Sequence, residues 1–206
     1  MPEPAPILAA LLCLLYPRGT FSTSPTDALP SLEITSRVIR AAMGYQSAKA
    51  LNIARDRLHH FVNTRPVETY AMACFFKFTD LARLASVTAV AVDPGQWTDE
   101  VRLTMGKTGA RHLANLREMR FAGLRGILNR SMESDEHSAL CVRRGMVEKL
   151  WRERADEVKT ALEPTCELVE LLSIDLRGGH CGECLVNLGT TIQRCIVSAR
   201  DLPKTI

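Results

Sequence analysis

Chemistry in this sequence has to be sought first among its cysteines and histidines. The tightest constellation is His180-Cys181-Gly182-Glu183-Cys184, which holds the only C-x-x-C pair in the chain. Two thiols at that spacing can form a redox-active disulfide or supply half of a tetrahedral zinc site. The redox reading needs the pair at a helix start within an α/β sheet, and no strand pattern supplies that context. A structural zinc site needs four ligands. The remaining candidates are Cys166 and His180, with His137 and Cys141 farther off and one turn apart if their segment is helical. A second C-x-x-C is missing, and adjacent residues such as His180 and Cys181 rarely both reach one tetrahedral ion. The sequence therefore favours capping or core cysteines and no metal, with Cys181, Cys184, Cys166 and His180 as the zinc candidates. Cys74 and Cys195 fall on apolar helical faces and read as small core residues.

Other motifs are weaker. Gly106-Lys107-Thr108 looks like the tail of a phosphate-binding loop, but Val101 stands where that loop needs its first glycine. A helix-capping turn explains the triplet better. Arg102, Lys107, Arg111, Arg117, Arg120, Arg125 and Arg130 face only Glu118 over that stretch. At about 100° per residue they encircle a helix rather than form a stripe, which reads as solvated surface and argues against nucleic acid. His59-His60 falls near a helix end, where positive charge is favourable. Asn129-Arg130-Ser131 is a glycosylation sequon of the kind that arises by chance. No nucleophile–base pair or pair of carboxylates is spaced for acid–base work, so no catalytic residue and no cofactor is assigned.

The elements that must position these residues are helical. The chain has 206 residues, 46% hydrophobic and 24% charged, which excludes a disordered or collagen-like protein. A net charge of +3 and 5% aromatics do not point to a nucleic-acid surface. Seven cysteines, an odd number spread along the chain, suit a reducing compartment and an intracellular protein, cytoplasmic or nuclear. Residues 7–16 (ILAALLCLLY) are too short to span a membrane and have no basic residue before them, so a buried core helix is expected rather than a signal segment. No membrane partner is expected either. Residues 17–31 read as a loop. Helical patterns follow from Leu32 to Gly44, from Ser47 to Val62 and from Pro66 onward. Val67, Tyr70, Ala71, Cys74, Phe75 and Phe78 share one predicted face, and Thr79-Asp80 predicts a cap for a returning helix. Residues 108–129, 142–162 and 181–201 complete an all-α array with no convincing strand.

Several of these segments resemble a known family. Glu3-Pro4-Ala5-Pro6 followed by ILAALLCLLYP looks like the closing part of a BTB/POZ domain. SLEITSRVIRAAMGYQSAKALNIARDRL is similar to the family's next helices, with Ala41, Ala42, Tyr45, Gln46 and Leu58 at matching positions. RPVETYAMACFFKFTDLARLAS resembles the BACK-like helical hairpin that trails such domains, and Trp151 with Cys181 and Cys184 matches a large fungal expansion of the family. The resemblance implies the C-terminal part of a BTB/POZ domain over residues 1–62 and a helical extension over 63–206. It implies a non-enzymatic protein-interaction module, an adaptor or scaffold in ubiquitin ligase or transcriptional complexes. It also implies an N-terminally truncated domain without the first strand and helix through which the family dimerises, so homodimerisation by that face is not expected. The runner-up is a small zinc-stabilised or nucleic-acid-associated regulatory module.

Overall fold

A computed structural model of the chain describes residues 3–16, 27–132, 141–174 and 181–206. Among these residues there are nine α-helices and no strand, so the expected all-α class is observed. In chain order they are α1 (Ala5–Leu15), α2 (Leu32–Gly44), α3 (Ala48–His59), α4 (Pro66–Phe76), α5 (Thr79–Ala89), α6 (Asp99–Leu128), α7 (Arg144–Thr160), α8 (Leu168–Leu171) and α9 (Gly182–Arg200). Local chemistry fixes several of their ends. The Ser31 and Ser47 hydroxyls accept from the N–H groups of Ile34 and Ala50 at 3.3 and 3.5 Å, capping α2 and α3. Pro6 and Pro66 sit in the first turns of α1 and α4, where a missing N–H costs nothing. α4 ends at Lys77 in the left-handed region, and the Phe78 N–H donates back to the Ala73 carbonyl at 2.9 Å.

Met1–Arg111 form one compact unit and His112–Ile206 another. In the first, α1 packs on α2 and α3, and α4 pairs with α5. Buried Ala42, Ala50, Ala54 and Ala85 let helices approach closely, while Ile39, Leu58, Tyr70 and Leu81 fill the remaining space. Polar ties join the pairs. Arg57 Nε donates to the Leu29 carbonyl and Thr88 Oγ1 to the Val62 carbonyl, each at 3.0 Å. Arg65 pairs with Glu33 and Glu68, and Arg55 with Asp80. The hydrogen bond from Arg65 holds the Glu33 carboxyl below its ordinary pKa. The compact units divide after Arg111, whereas the family resemblance implies a boundary at residue 62.

Glycine shapes α6. Gly106, at φ 70, kinks it, so Gly106-Lys107-Thr108 is a helix break. One turn on, Gly109 admits a close neighbour: a Cβ there would lie 3.2 Å from the Cys74 sulfur, and the Tyr70 hydroxyl donates to the Gly109 carbonyl at 3.1 Å.

The second unit is built on a cluster that includes Leu124 and Leu128 of α6, Val147 and Trp151 of α7, and Cys184, Leu188 and Cys195 of α9. The Trp151 indole N–H donates to the Arg130 carbonyl at 2.9 Å, so burial of that ring leaves no donor unmet.

Three sequence expectations are corrected. α1 is not buried on all sides: Ile7, Leu11 and Leu14 face the core, whereas Leu8 is exposed. The residue before Thr79, Phe78, is the N-cap of α5; Asp80 lies in the first turn and its carboxylate goes to Arg55. On α4, Phe76 is buried and Phe75 exposed, because the helix also buries Thr69, Ala73 and Phe76, outside the face read from the spacing. Phe76→Ala is therefore expected to cost about 3–5 kcal/mol. Phe75→Ala should cost about 1 kcal/mol or less. Denaturant unfolding of the two variants checks this, and equal losses would contradict the assignment.

Candidate metal centre

The first turns of α7 and α9 bring three sulfurs together. Cys181 is the N-cap residue of α9, and Cys184 lies in its first turn. Cys141 stands just ahead of α7, and its carbonyl accepts the Arg144 N–H at 3.1 Å. The Sγ atoms of Cys141, Cys181 and Cys184 all lie within 4.8 Å of one another. Their position follows from the packing of α9. Cys184, Leu188, Thr191 and Cys195 recur at helical spacing and form its buried face. That face meets α7, and Cys141 and Cys181 pack against the edge of the same apolar cluster.

Cys184 is 2% exposed, while Cys141 and Cys181 are half-buried. Burial pushes the Cys184 thiol up to about 12, and its hydrogen-bond contacts with Cys141 and Cys181 push in the same direction. Two helix N-termini, each with partial positive charge, lie beside the trio, which favours sulfur in its anionic form once a cation is present. Chemically, the set can hold a thiophilic divalent metal, or two of its members can close a disulfide.

The structure sorts the other sequence candidates. Cys166 belongs to a separate turn, where its sulfur accepts the Glu163 N–H at 3.0 Å, and it does not join the trio. His180 and His137 lie outside the described residues. The C-x-x-C pair does open a helix, but among the described residues no strand precedes it. Cys195 is a core residue, with its thiol 3.7 Å from the Ile127 carbonyl, and Cys74 is half-buried beside Tyr70. His59 ends α3 as expected, and His60 is its C-cap.

The basic stretch is less a solvated surface than its spacing implied. Arg120 is 7% exposed and donates to the carbonyls of Pro164 and Pro203. Arg117 and Arg125 both lie over the Phe121 ring, and Arg102 lies over Trp97 while donating to the Pro94 and Trp97 carbonyls. Arg130 donates to the Ser198 hydroxyl at 2.9 Å. A surface cleft of 430 Å³, lined in part by Arg130, Arg144, Trp151 and Lys159, also lies in this unit. Within it Arg144 and Arg152 share Glu148, Lys159 pairs with Asp156, and Arg130 is held by Ser198.

From the sequence, Cys141 is only a distant ligand option and Arg120 reads as one of several solvated cations, whereas it is buried. Nothing in the local pattern around either residue reports contacts made forty or more positions away.

Set against known proteins, the chain matches no protein-family model, no curated protein and no solved structure. No helix among the described residues is long and apolar enough to cross a membrane.

Arg120→Met keeps most of the apolar stem but strands two carbonyls that Arg120 now satisfies. It should cost about 2–3 kcal/mol in denaturant unfolding. A change within about 0.5 kcal/mol, as at an ordinary surface position, would show that those bonds do not hold the unit together.

Proposed function

We propose that the chain is a non-catalytic helical module that binds another protein, an adaptor or scaffold of the kind its BTB/POZ-like helices imply. The observation that carries this reading is an apolar and cationic face on the N-terminal unit. Phe75 is 51% exposed and Met43 49% exposed. Arg40 links them: its guanidinium lies 5.6 Å from the centroid of the Phe75 ring, and Met43 follows it by one turn on α2. Arg37, one turn before Arg40, also faces solvent. Large apolar side chains held at the surface beside cations suit an amphipathic partner helix that brings aliphatic side chains and carboxylates.

The reading also draws on the coincidence of α2 to α5 with the segments that resemble the BTB/POZ tail and BACK-like hairpin. Adaptor work in ubiquitin ligase or transcriptional complexes, in the cytoplasm or nucleus and in the manner of the fungal-type family, belongs to this proposal. Protein binding is favoured over nucleic-acid binding because Arg102, Arg117, Arg120, Arg125 and Arg130 are engaged within the protein.

Crosslinking mass spectrometry in cells tests it, comparing wild type with Met43→Asp/Phe75→Asp. Val169→Asp, at an exposed position in the other unit, is the control. The expected result is an acidic helical partner crosslinked near α2 and α4. Its recovery should fall at least about tenfold in the double variant, or about 1.4 kcal/mol, and stay unchanged in the control. Unchanged recovery of every partner in the double variant would overturn the reading.

A further inference from the structure

We propose that Cys141, Cys181 and Cys184 form a binding site for a thiophilic divalent cation of the zinc class, which clasps the start of α7 to the start of α9. The geometry is the first support. Zinc–sulfur bonds of about 2.3 Å in a tetrahedral site place ligand sulfurs about 3.8 Å apart. The three Sγ atoms already lie within 4.8 Å of one another, so closing on an ion needs small side-chain rotations and no movement of the helices.

The second support is the character of the three positions. Cys181 and Cys184 stand three residues apart at one helix start, an arrangement that brings both sulfurs to one side. Cys141 arrives from the turn just ahead of a different helix, forty residues earlier in the chain. Ligands drawn from two elements are what make a metal a cross-link rather than an ornament on one turn. Cys184 is buried within the apolar cluster that also holds Val147, Trp151 and Leu188, which shields one side of the site from water.

Disulfide formation is the competing use of the same atoms, and the metal accounts for more of the arrangement. A disulfide takes two sulfurs and leaves the third idle beside it, whereas a metal employs all three. On binding, each thiol gives up its proton to solvent and the ion gains three thiolate bonds. Among the described residues no fourth His, Cys, Asp or Glu atom joins the set, so a ligand from outside them, water in the simplest case, completes the tetrahedron. This inference is independent of the docking face, which lies in the other unit.

The test uses the full chain, purified with its thiols reduced and its metal stripped by a chelator, and titrated with cobalt(II) and then zinc(II). One cobalt per chain should bind with intense thiolate-to-metal charge-transfer absorption, and zinc should displace it. Cys141→Ser and Cys181→Ser, both at half-buried positions, should each weaken binding at least about 100-fold, no less than loss of an outer-shell partner costs. Cys166→Ser should leave binding unchanged. Circular dichroism confirms that each variant is folded, so the result does not depend on the buried Cys184. Absence of the charge-transfer band in the fully reduced chain would overturn the proposal. So would equal weakening by Cys166→Ser, or unaltered binding in Cys141→Ser.

Discussion

The C-terminal unit depends on the register of α9. Its buried face is a single row, Cys184, Leu188, Thr191 and Cys195, set against α7 and the end of α6. A helix slipped by one residue rotates about 100° and takes the whole row out of the core. The same row therefore decides where the first turn of α9 begins and where its thiols point. Neither α7 nor α9 carries a side-chain cap at its start, so these ends are held by tertiary packing and not by local chemistry. A metal bound across the two starts would secure two ends that lack a side-chain cap.

Arginine does a second kind of holding. A buried guanidinium is tolerated only where its N–H groups find acceptors, and Arg120 finds two carbonyls that precede or follow helices, those of Pro164 and Pro203. It ties the chain end after α9 and the turn after α7 to one point on α6. In the N-terminal unit, half-buried Arg57 donates to the Leu29 carbonyl and half-buried Arg65 pairs with exposed Glu33, comparable links between segments about thirty residues apart. Exposed ion pairs of that kind stabilise little, and packing of small residues between helices carries most of the load there.

Helix positions were legible from the sequence because 3.6-residue periodicity, proline and serine starts act locally. α2, α3, α4, α7 and α9 fall within a few residues of their predicted spans. The identity of a buried face was less legible where a helix packs on more than one side. α4 buries Thr69, Ala73 and Phe76 as well as Val67, Tyr70 and Ala71, so the stripe read from spacing misassigned Phe75. Two of the three candidate ligands were visible as a C-x-x-C pair. The third, Cys141, was only a farther option, because its meeting with that pair is set by how α7 and α9 pack, which neither segment encodes alone. For the same reason Cys166, closer in sequence, was the wrong partner: its sulfur is engaged in its own turn.

Zinc-edge X-ray absorption of the zinc-loaded full chain tests the central claim about the C-terminal unit most directly. Three sulfur neighbours at about 2.3 Å around each zinc are predicted. A shell made only of nitrogen and oxygen at about 2.0–2.2 Å would contradict the account, because zinc would then be bound somewhere other than among Cys141, Cys181 and Cys184.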